Sequence, residues 1–587
     1  MVPYGKARLF RFYSTVRSRE SSSKGSSRQS TTLGLLERRV MVDYLPSYAV
    51  QCTLAVALVL CITLSWSLVP IIWWRLKSPL RKLPGPPSAH WLYGDLGEVY
   101  DAHKSMFLDR WAETYGPAVR FGSFLNSPTL FTLDTRALHH ILTHCEIYQK
   151  SAYGRRSLSR ILGEGLLVAE GERHKQQRKI MNPAFGPAQI RELTPMLMQK
   201  AMELRRAWAC EASDQSPARI NVLKGLSRVT LDAIGLAGFD HNIGALGSQQ
   251  TCDNELAKAF EDIFDVPKRI PALAVLQTAF PILECLSNNI MRRFDHAHSI
   301  MRRIGLQRIA DKKASIAAEV HEKDSGVCDS PRNRDLLTLL LKANMAPDGL
   351  RLSDEDVLAQ FPTFLATGHE STSTATAWCL FALTQSPRVQ EKLRDEALAV
   401  TTESPTMDEL VALPYLDMVI RETLRLHPPI ASTMRVATKD DAIPVSALFT
   451  DIDGTVHSSI RVSEGTPILI PILAINTSRT LWGEDAHEFR PERWEDPPQP
   501  TANIPGVWAH TLSFLGGPRA CIGYRLSLVE MKALVFTLVR AFEFSLAVDP
   551  CQVTKMPGIL QRPLVTAGGD AASRLPLLVK RYTRREA

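Results

Sequence analysis

Near the C-terminus, Phe514-Leu515-Gly516-Gly517-Pro518-Arg519-Ala520-Cys521-Ile522-Gly523 presents a cysteine from a glycine-rich loop, just before a helical run that ends near Phe542. Amide donors and the positive end of a helix dipole at such a position lower a thiol's pKa, so the sulfur is a candidate nucleophile or metal ligand. A cysteine at a helix start is also a common buried residue, and its type alone does not separate the readings. A second set of groups sits in Thr367-Gly368-His369-Glu370-Ser371-Thr372, where a glycine, an acid and hydroxyls interrupt an otherwise apolar helical run. Glycine costs a helix about 1 kcal/mol and a buried carboxylate considerably more, so the break marks a place to look for function.

Spacing sharpens the first set. Phe514, Gly517, Arg519, Cys521 and Gly523 complete F-x-x-G-x-R-x-C-x-G, which resembles the heme-ligand loop of the cytochrome P450 family. Three further matches occur in that family's order. Glu422 and Arg425 form E-x-x-R, one helical turn apart on one face, and Arg493 stands in Phe489-Arg490-Pro491-Glu492-Arg493-Trp494. An exposed pair at that spacing is common and worth only ~0.3 kcal/mol, so E-x-x-R alone says little. With Arg493 it looks like the family's buried Glu-Arg-Arg cluster, a structural and not a catalytic group. The third match is Thr367 to Ser371, which looks like the oxygen-activation motif, with Glu370 as acid and Ser371 as alcohol. Ala or Gly is usual at the first position and Thr at the last. Serine lacks the methyl that restricts χ1, and Thr372 is available to share the role. The alternative is that these hydroxyls simply bond back to the helix backbone.

The resemblance covers Leu83 to the C-terminus and implies Cys521 thiolate as proximal ligand to heme b (iron protoporphyrin IX), pushing electron density onto the iron. It also implies cationic donors for two propionates. Arg519 matches one such position, Arg435 another on the first strand beyond the E-x-x-R helix, and His174 with Arg178 resembles W-x-x-x-R of an earlier helix, His174 replacing tryptophan. For each arginine the other reading is a solvated surface charge. The activity implied is insertion of one atom of O₂ into a lipophilic small molecule, with secondary metabolism (a terpenoid or similar) as the setting suggested by a fungal style around His174 to Phe185. Sixty-six residues follow Cys521, too few for a fused flavin domain, so electrons are expected from a separate NADPH-cytochrome P450 reductase, with cytochrome b5 as a further partner. Rival readings are a heme-thiolate isomerase or dehydratase that needs no reductase, a non-catalytic heme-binding protein and, in another class, a cysteine hydrolase.

The elements that must position these groups are mostly helical. Apolar residues recur at helical spacing over Thr194 to Trp208, Asp253 to Phe264, Ile290 to Ala317, Asp354 to Gln385, Pro387 to Val400 and Ser527 to Phe542. Strand patterns cluster at Val119 to Leu133, Arg435 to Ala447 and Ser459 to Ala474, with Asp453-Gly454 as a hairpin turn. Asp354 to Gln385 would span ~48 Å as one helix, and Pro362 is expected to kink or divide it. The resemblance implies that substrate selectivity resides in segments around 161–167, 260–286 and 429–434, which have no readable code of their own. The fold class is mainly α with small β-sheets, the cytochrome P450 fold by resemblance, preceded by a single N-terminal transmembrane helix.

That helix is expected over 45–74, where no residue is charged; residues 49–74 alone would reach ~39 Å against a hydrocarbon core of ~30 Å. Arg75, Lys77, Arg81 and Lys82 follow, then Leu83-Pro84-Gly85-Pro86-Pro87. The cations orient the body toward the cytosol, and 75–90 reads as a basic, proline-rich hinge leading to a catalytic domain over 91–587. Residues 1–44 form a disordered or leader-like tail, Ser- and Arg-rich as in a mitochondrial transit peptide. The anchor and basic exit already supply an endoplasmic reticulum address, so single-pass insertion there is the preferred reading.

Composition sets the outer bounds. The 587 residues are 45% hydrophobic and 22% charged, which excludes wholesale disorder and a polytopic membrane protein. A net charge of +8 is small for the length and does not imply nucleic acid. Ten cysteines without C-x-x-C pairs indicate neither a zinc ribbon nor a disulfide scaffold.

Overall fold

In the computed structural model the described residues run from 51 to 583, leaving out 100–104, 213–215, 248–254, 265–276, 278–288, 324–334, 346–350, 557–559 and 567–571, with only scattered positions between 51 and 75. The expected tail over 1–44 lies outside them, as does most of the anchor expected over 45–74. Among the described residues no helix is long and apolar enough to cross a membrane.

Helices dominate from Ile71 onward, as their apolar spacing predicts. The periodic stretches become Pro187–Glu211, Glu255–Phe264, Asn289–Lys323, Asp354–Gln385, Pro387–Ala399 and Tyr524–Ala541. Five helices position the site: α1 (Gly171–Met181), α2 (Val222–Phe239), α3 (Asp354–Gln385), α4 (Pro414–Leu426) and α5 (Tyr524–Ala541). A reciprocal capping box between Ser353 and Asp356 starts α3, which runs through Pro362 undivided. Its flanks are buried almost throughout because α2, α4 and α5 pack around it.

Small sheets complete the body. Strands β1 (Ala118–Gly122), β2 (Pro128–Thr132), β3 (Tyr148–Gln149), β4 (Thr433–Ala437), β5 (Asp441–Thr450), β6 (Val456–Val462) and β7 (Pro467–Ile470) give a five-stranded sheet in the order β1-β2-β7-β4-β3 and a separate β5-β6 hairpin. The run predicted as strand up to Ala474 stops earlier. Pro471 has no amide to donate to the ladder, and Ile472–Thr477 turns into a short buried helix. The basic, proline-rich segment is not a free spacer: Leu80 and Leu83 are buried, and Pro84 accepts a backbone bond from Arg120 of β1.

Candidate active site

The cysteine loop is held from three sides. Its base is fixed by Ser513, whose hydroxyl donates to the Leu424 carbonyl of α4 at 2.6 Å and accepts from the Asn476 amide at 2.9 Å. Gly516 backs directly onto the Pro505 carbonyl and Gly517, at φ +66°, onto that of Leu142, so side chains at either position would collide with backbone. Phe514 packs its ring against Trp508 and Tyr524, and its carbonyl accepts from the Cys521 amide at 2.9 Å. On the far side, Arg178 of α1 donates to the Ala520 carbonyl at 2.6 Å.

Cys521 precedes α5, but its thiol does not follow the expectation drawn from a helix start. The side chain is exposed to solvent, and what surrounds the sulfur otherwise is the loop, with the Gly523 amide and the Arg178 guanidinium near it. Local desolvation pushes the thiol pKa up and outweighs the Gly523 amide and the Arg178 charge, which pull it down. A sulfur so placed, with one aimed amide and one nearby guanidinium, is a poor free nucleophile and is suited to a metal that displaces its proton.

Beside the loop the structure gathers a basin of cations. Arg435 of β4 is 5% exposed, and burial brings its pKa to about 10. Burial does the same to Arg519, which donates to the Ala169 carbonyl at 2.6 Å, pairs with Glu170 and interacts with Cys145. Lys150 lies 3.5 Å from Glu170, its pKa driven well below the usual lysine value by burial and by Arg435, Arg519 and Arg155. His174 is buried on α1, where desolvation and the charges of Arg178 and Lys150 push it to about 4, so at neutral pH it is uncharged. Arg155 Nε is buried with no partner among the described residues. Buried cations that depress one another, with an orphaned guanidinium nitrogen, suit a ligand carrying two carboxylates; heme propionates fit that demand. Lys150, Arg155 and Glu170 were not singled out from the sequence, since no spacing links them to the cysteine loop.

The acid and the hydroxyls lie on α3. Gly368 is there because α2 approaches closely: a Cβ would sit 2.7 Å from Ile234. Glu370 is 2% exposed. Its Oε1 accepts from Ser227 of α2 at 3.1 Å and lies 3.2 Å from His369 Nε2, while Oε2 lies 3.5 Å from Arg562 Nε. Burial pushes this carboxyl up, but His369, Arg562 and Ser227 together hold it below the ordinary range, so it is ionised. Neither Ser227 nor Arg562 carries a sequence signal, because both arrive through tertiary packing. The hydroxyls of Ser371 and Thr372 donate to the carbonyls of Thr367 and Gly368 at 2.7 and 3.0 Å. That is the back-bonded geometry weighed as the alternative above; it leaves each oxygen's lone pairs, not its proton, available to a neighbour.

Glu422, Arg425 and Arg493 come together away from the basin. Arg425 forks onto Glu422 at 2.8 and 2.9 Å, Arg493 reaches Glu422 at 3.4 Å and Asp485 at 2.7 Å, and Trp494 donates to Glu422 at 3.0 Å. Glu422 and Arg425 are fully buried. Among the described residues the cluster bonds to no catalytic candidate; it ties α4 to the segment carrying Arg493. Of the segments expected to control selectivity, 161–167 lies on α3, with the Leu162 carbonyl accepting from Thr363 at 3.2 Å and Leu166 donating to Gln360 at 3.0 Å. Segment 260–286 falls mostly outside the described residues.

The profile of the family described as Cytochrome P450 matches residues 84–566. Cytochrome P450 monooxygenase 205 of Postia placenta is 52% identical over 526 residues, covering 88% of this chain and 96% of the relative. Cytochrome P450 monooxygenase 128 of the same fungus is 50% identical, covering 86% and 94%. Ganoderic acid synthetase CYP5150L8 of Ganoderma lucidum is 35% identical, covering 81% and 89%. The loop around Cys521, the cationic basin beside it and these similarities over most of the sequence lead to one conclusion: the chain belongs to the cytochrome P450 family and is an oxidoreductase of the monooxygenase type.

Proposed function

We propose that this chain is a heme-thiolate monooxygenase that inserts one oxygen atom from O₂ into a lipophilic small molecule of secondary metabolism, a terpenoid or similar, using electrons from a separate NADPH-cytochrome P450 reductase with cytochrome b5 as a further donor. The observation that carries the reading is the meeting of Cys521 with a basin of buried cations. Heme, when bound, supplies the iron chemistry that activates dioxygen.

The protein's part follows from its own residues. Cys521 ligates iron, with the Gly523 amide moderating the charge on sulfur. Arg178, Arg435 and Arg519 hold propionates, assisted by Lys150, while His174, neutral, donates one hydrogen bond. Phe514 and Gly523 shape the loop. Glu370 holds or releases a proton, and the Ser371 and Thr372 oxygens orient water by accepting from it. The apolar flanks of α3 keep bulk water away. Anchoring over 45–74 in the endoplasmic reticulum, with the catalytic body cytosolic, is supported by the uncharged run and by the cations after it. The setting in secondary metabolism is supported by a relative named for the synthesis of ganoderic acid.

The test is turnover of the full chain in lipid with reductase, NADPH, isotopically labelled dioxygen and a panel of terpenoids. One labelled oxygen per product and strict NADPH dependence are expected. Conversion of a hydroperoxide without NADPH would favour the isomerase or dehydratase reading.

A further inference from the structure

The C-terminal end of α4 borders a cavity of about 220 Å³, none of whose lining residues belongs to the cationic basin or to the acid and hydroxyls of α3. Phe381, Leu426 and Phe489 give it apolar walls, and Lys555, His427 and His487 are its titratable lining. No acid lines it. Stacked rings set the walls in place: His427 lies parallel to Trp378, with ring centroids 4.9 Å apart and an interplanar angle of 8°, and Phe381 packs edge-on to both. Such a cavity is formed before any ligand arrives.

The polar groups of the cavity are under-used. Lys555, at the end of the short strand Val553–Lys555, donates to the Leu426 carbonyl at 3.1 Å. That bond caps the end of α4 and uses one of the ammonium's three donors. No carboxylate pairs with this ammonium among the described residues, and burial alone lowers its pKa, to about 8. The His427 ring has no hydrogen-bond partner among them either. Its Nδ1 is buried, and burial together with the charges of Lys555 and Arg425 keeps the ring neutral. A neutral imidazole carries one N–H, and with Nδ1 enclosed it is Nε2 that can meet a ligand. A cation without an anion and a ring without a partner, set in apolar walls, suit a molecule that is negative at one end and apolar at the other.

Size narrows the ligand. A cavity of about 150 Å³ takes a benzene ring, so this one has room for a single ring carrying a carboxylate. We infer that the cavity at the end of α4 binds a small aromatic monocarboxylate, with Lys555 pairing with the carboxylate, His427 donating to it, and Phe381 and Phe489 against the ring. Phosphate, which has no apolar face, would leave those walls unused. The site stands apart from the heme chemistry proposed above and does not depend on it.

The test uses benzoate and the full chain with heme bound. Saturable binding by calorimetry is expected, with benzyl alcohol bound at least about tenfold more weakly and Lys555→Met weakening benzoate by a similar factor. In the wild type, where no variant's folding is at issue, benzoate should slow acylation of Lys555 by a water-soluble succinimidyl ester, read by peptide mass spectrometry, and leave acylation of the exposed Lys439 unchanged. Benzoate binding that survives Lys555→Met, or acylation of Lys555 indifferent to benzoate, overturns the site. Benzyl alcohol matching benzoate, or inorganic phosphate displacing benzoate at equal concentration, overturns the ligand assignment.

Discussion

Gly368 of α3 and Ile234 of α2 approach so closely that a single methyl group on the glycine would lie 2.7 Å from the isoleucine side chain. The same two helices bring Ser227 of α2 to Glu370 of α3, where its hydroxyl donates at 3.1 Å. Gly368→Ala should therefore destabilise the fold by about 1–3 kcal/mol despite alanine's better helix propensity. Ile234→Ala opens the space, so the double variant should lose less than the sum of the two single losses. Denaturant unfolding of the four proteins measures this.

The Glu370 carboxylate is held ionised by groups that the chain brings from α2 and from near its C-terminus. Its depressed pKa contributes stability above the ordinary carboxylate range, and that contribution is lost as pH falls through the folded-state value. Arg562→Gln and Ser227→Ala each remove part of the support, which raises this pKa. Stability and turnover should then fail at higher pH than in the parent, with Arg562→Gln showing the larger displacement. Glu370→Gln should lower turnover about a hundredfold with the fold intact, if the group moves a proton. pH profiles of turnover, alongside thermal unfolding at the same pH values, check all three variants.

Glu422 and Arg425 form a fully buried pair. Glu422→Ala leaves two guanidinium groups facing one another without their carboxylate and should cost about 3–5 kcal/mol. The loss should appear in unfolding of the protein with or without heme, which separates a structural role from a catalytic one.

Much of this architecture was legible in advance, for a physical reason. The bounds of α3 from Asp354 to Gln385 and the hairpin turn at Asp453-Gly454 are local: Ser353 caps the helix, and Gly454 supplies φ +81°. The basin around Lys150 is not local. Its members come from positions 150, 155, 170, 174, 178, 435 and 519, and only those within a recognisable spacing could be named from sequence. The direction of the Cys521 pKa was misjudged for a related reason. A helix start is visible in sequence, whereas the local desolvation that raises the thiol pKa depends on the packed chain.

The same basin gives a prediction for the protein without heme. The Lys150 pKa is depressed in the fold, so the unfolded chain binds more protons between that value and 10.5, and stability should rise with pH across that window. Lys150→Met should flatten the rise while weakening retention of heme. Urea midpoints of the heme-free protein at several alkaline pH values, with heme titration of both proteins, test the pair of effects.

The most direct measurement for the central claim, that Cys521 sulfur binds the heme iron as thiolate, is the reduced-CO difference spectrum of the wild-type protein beside Cys521→Ala and Cys521→His. Wild type should show the red-shifted Soret band of thiolate ligation, and both variants should lack it while Cys521→His retains bound heme. A wild-type spectrum without that band, or its persistence in Cys521→Ala, would contradict the assignment.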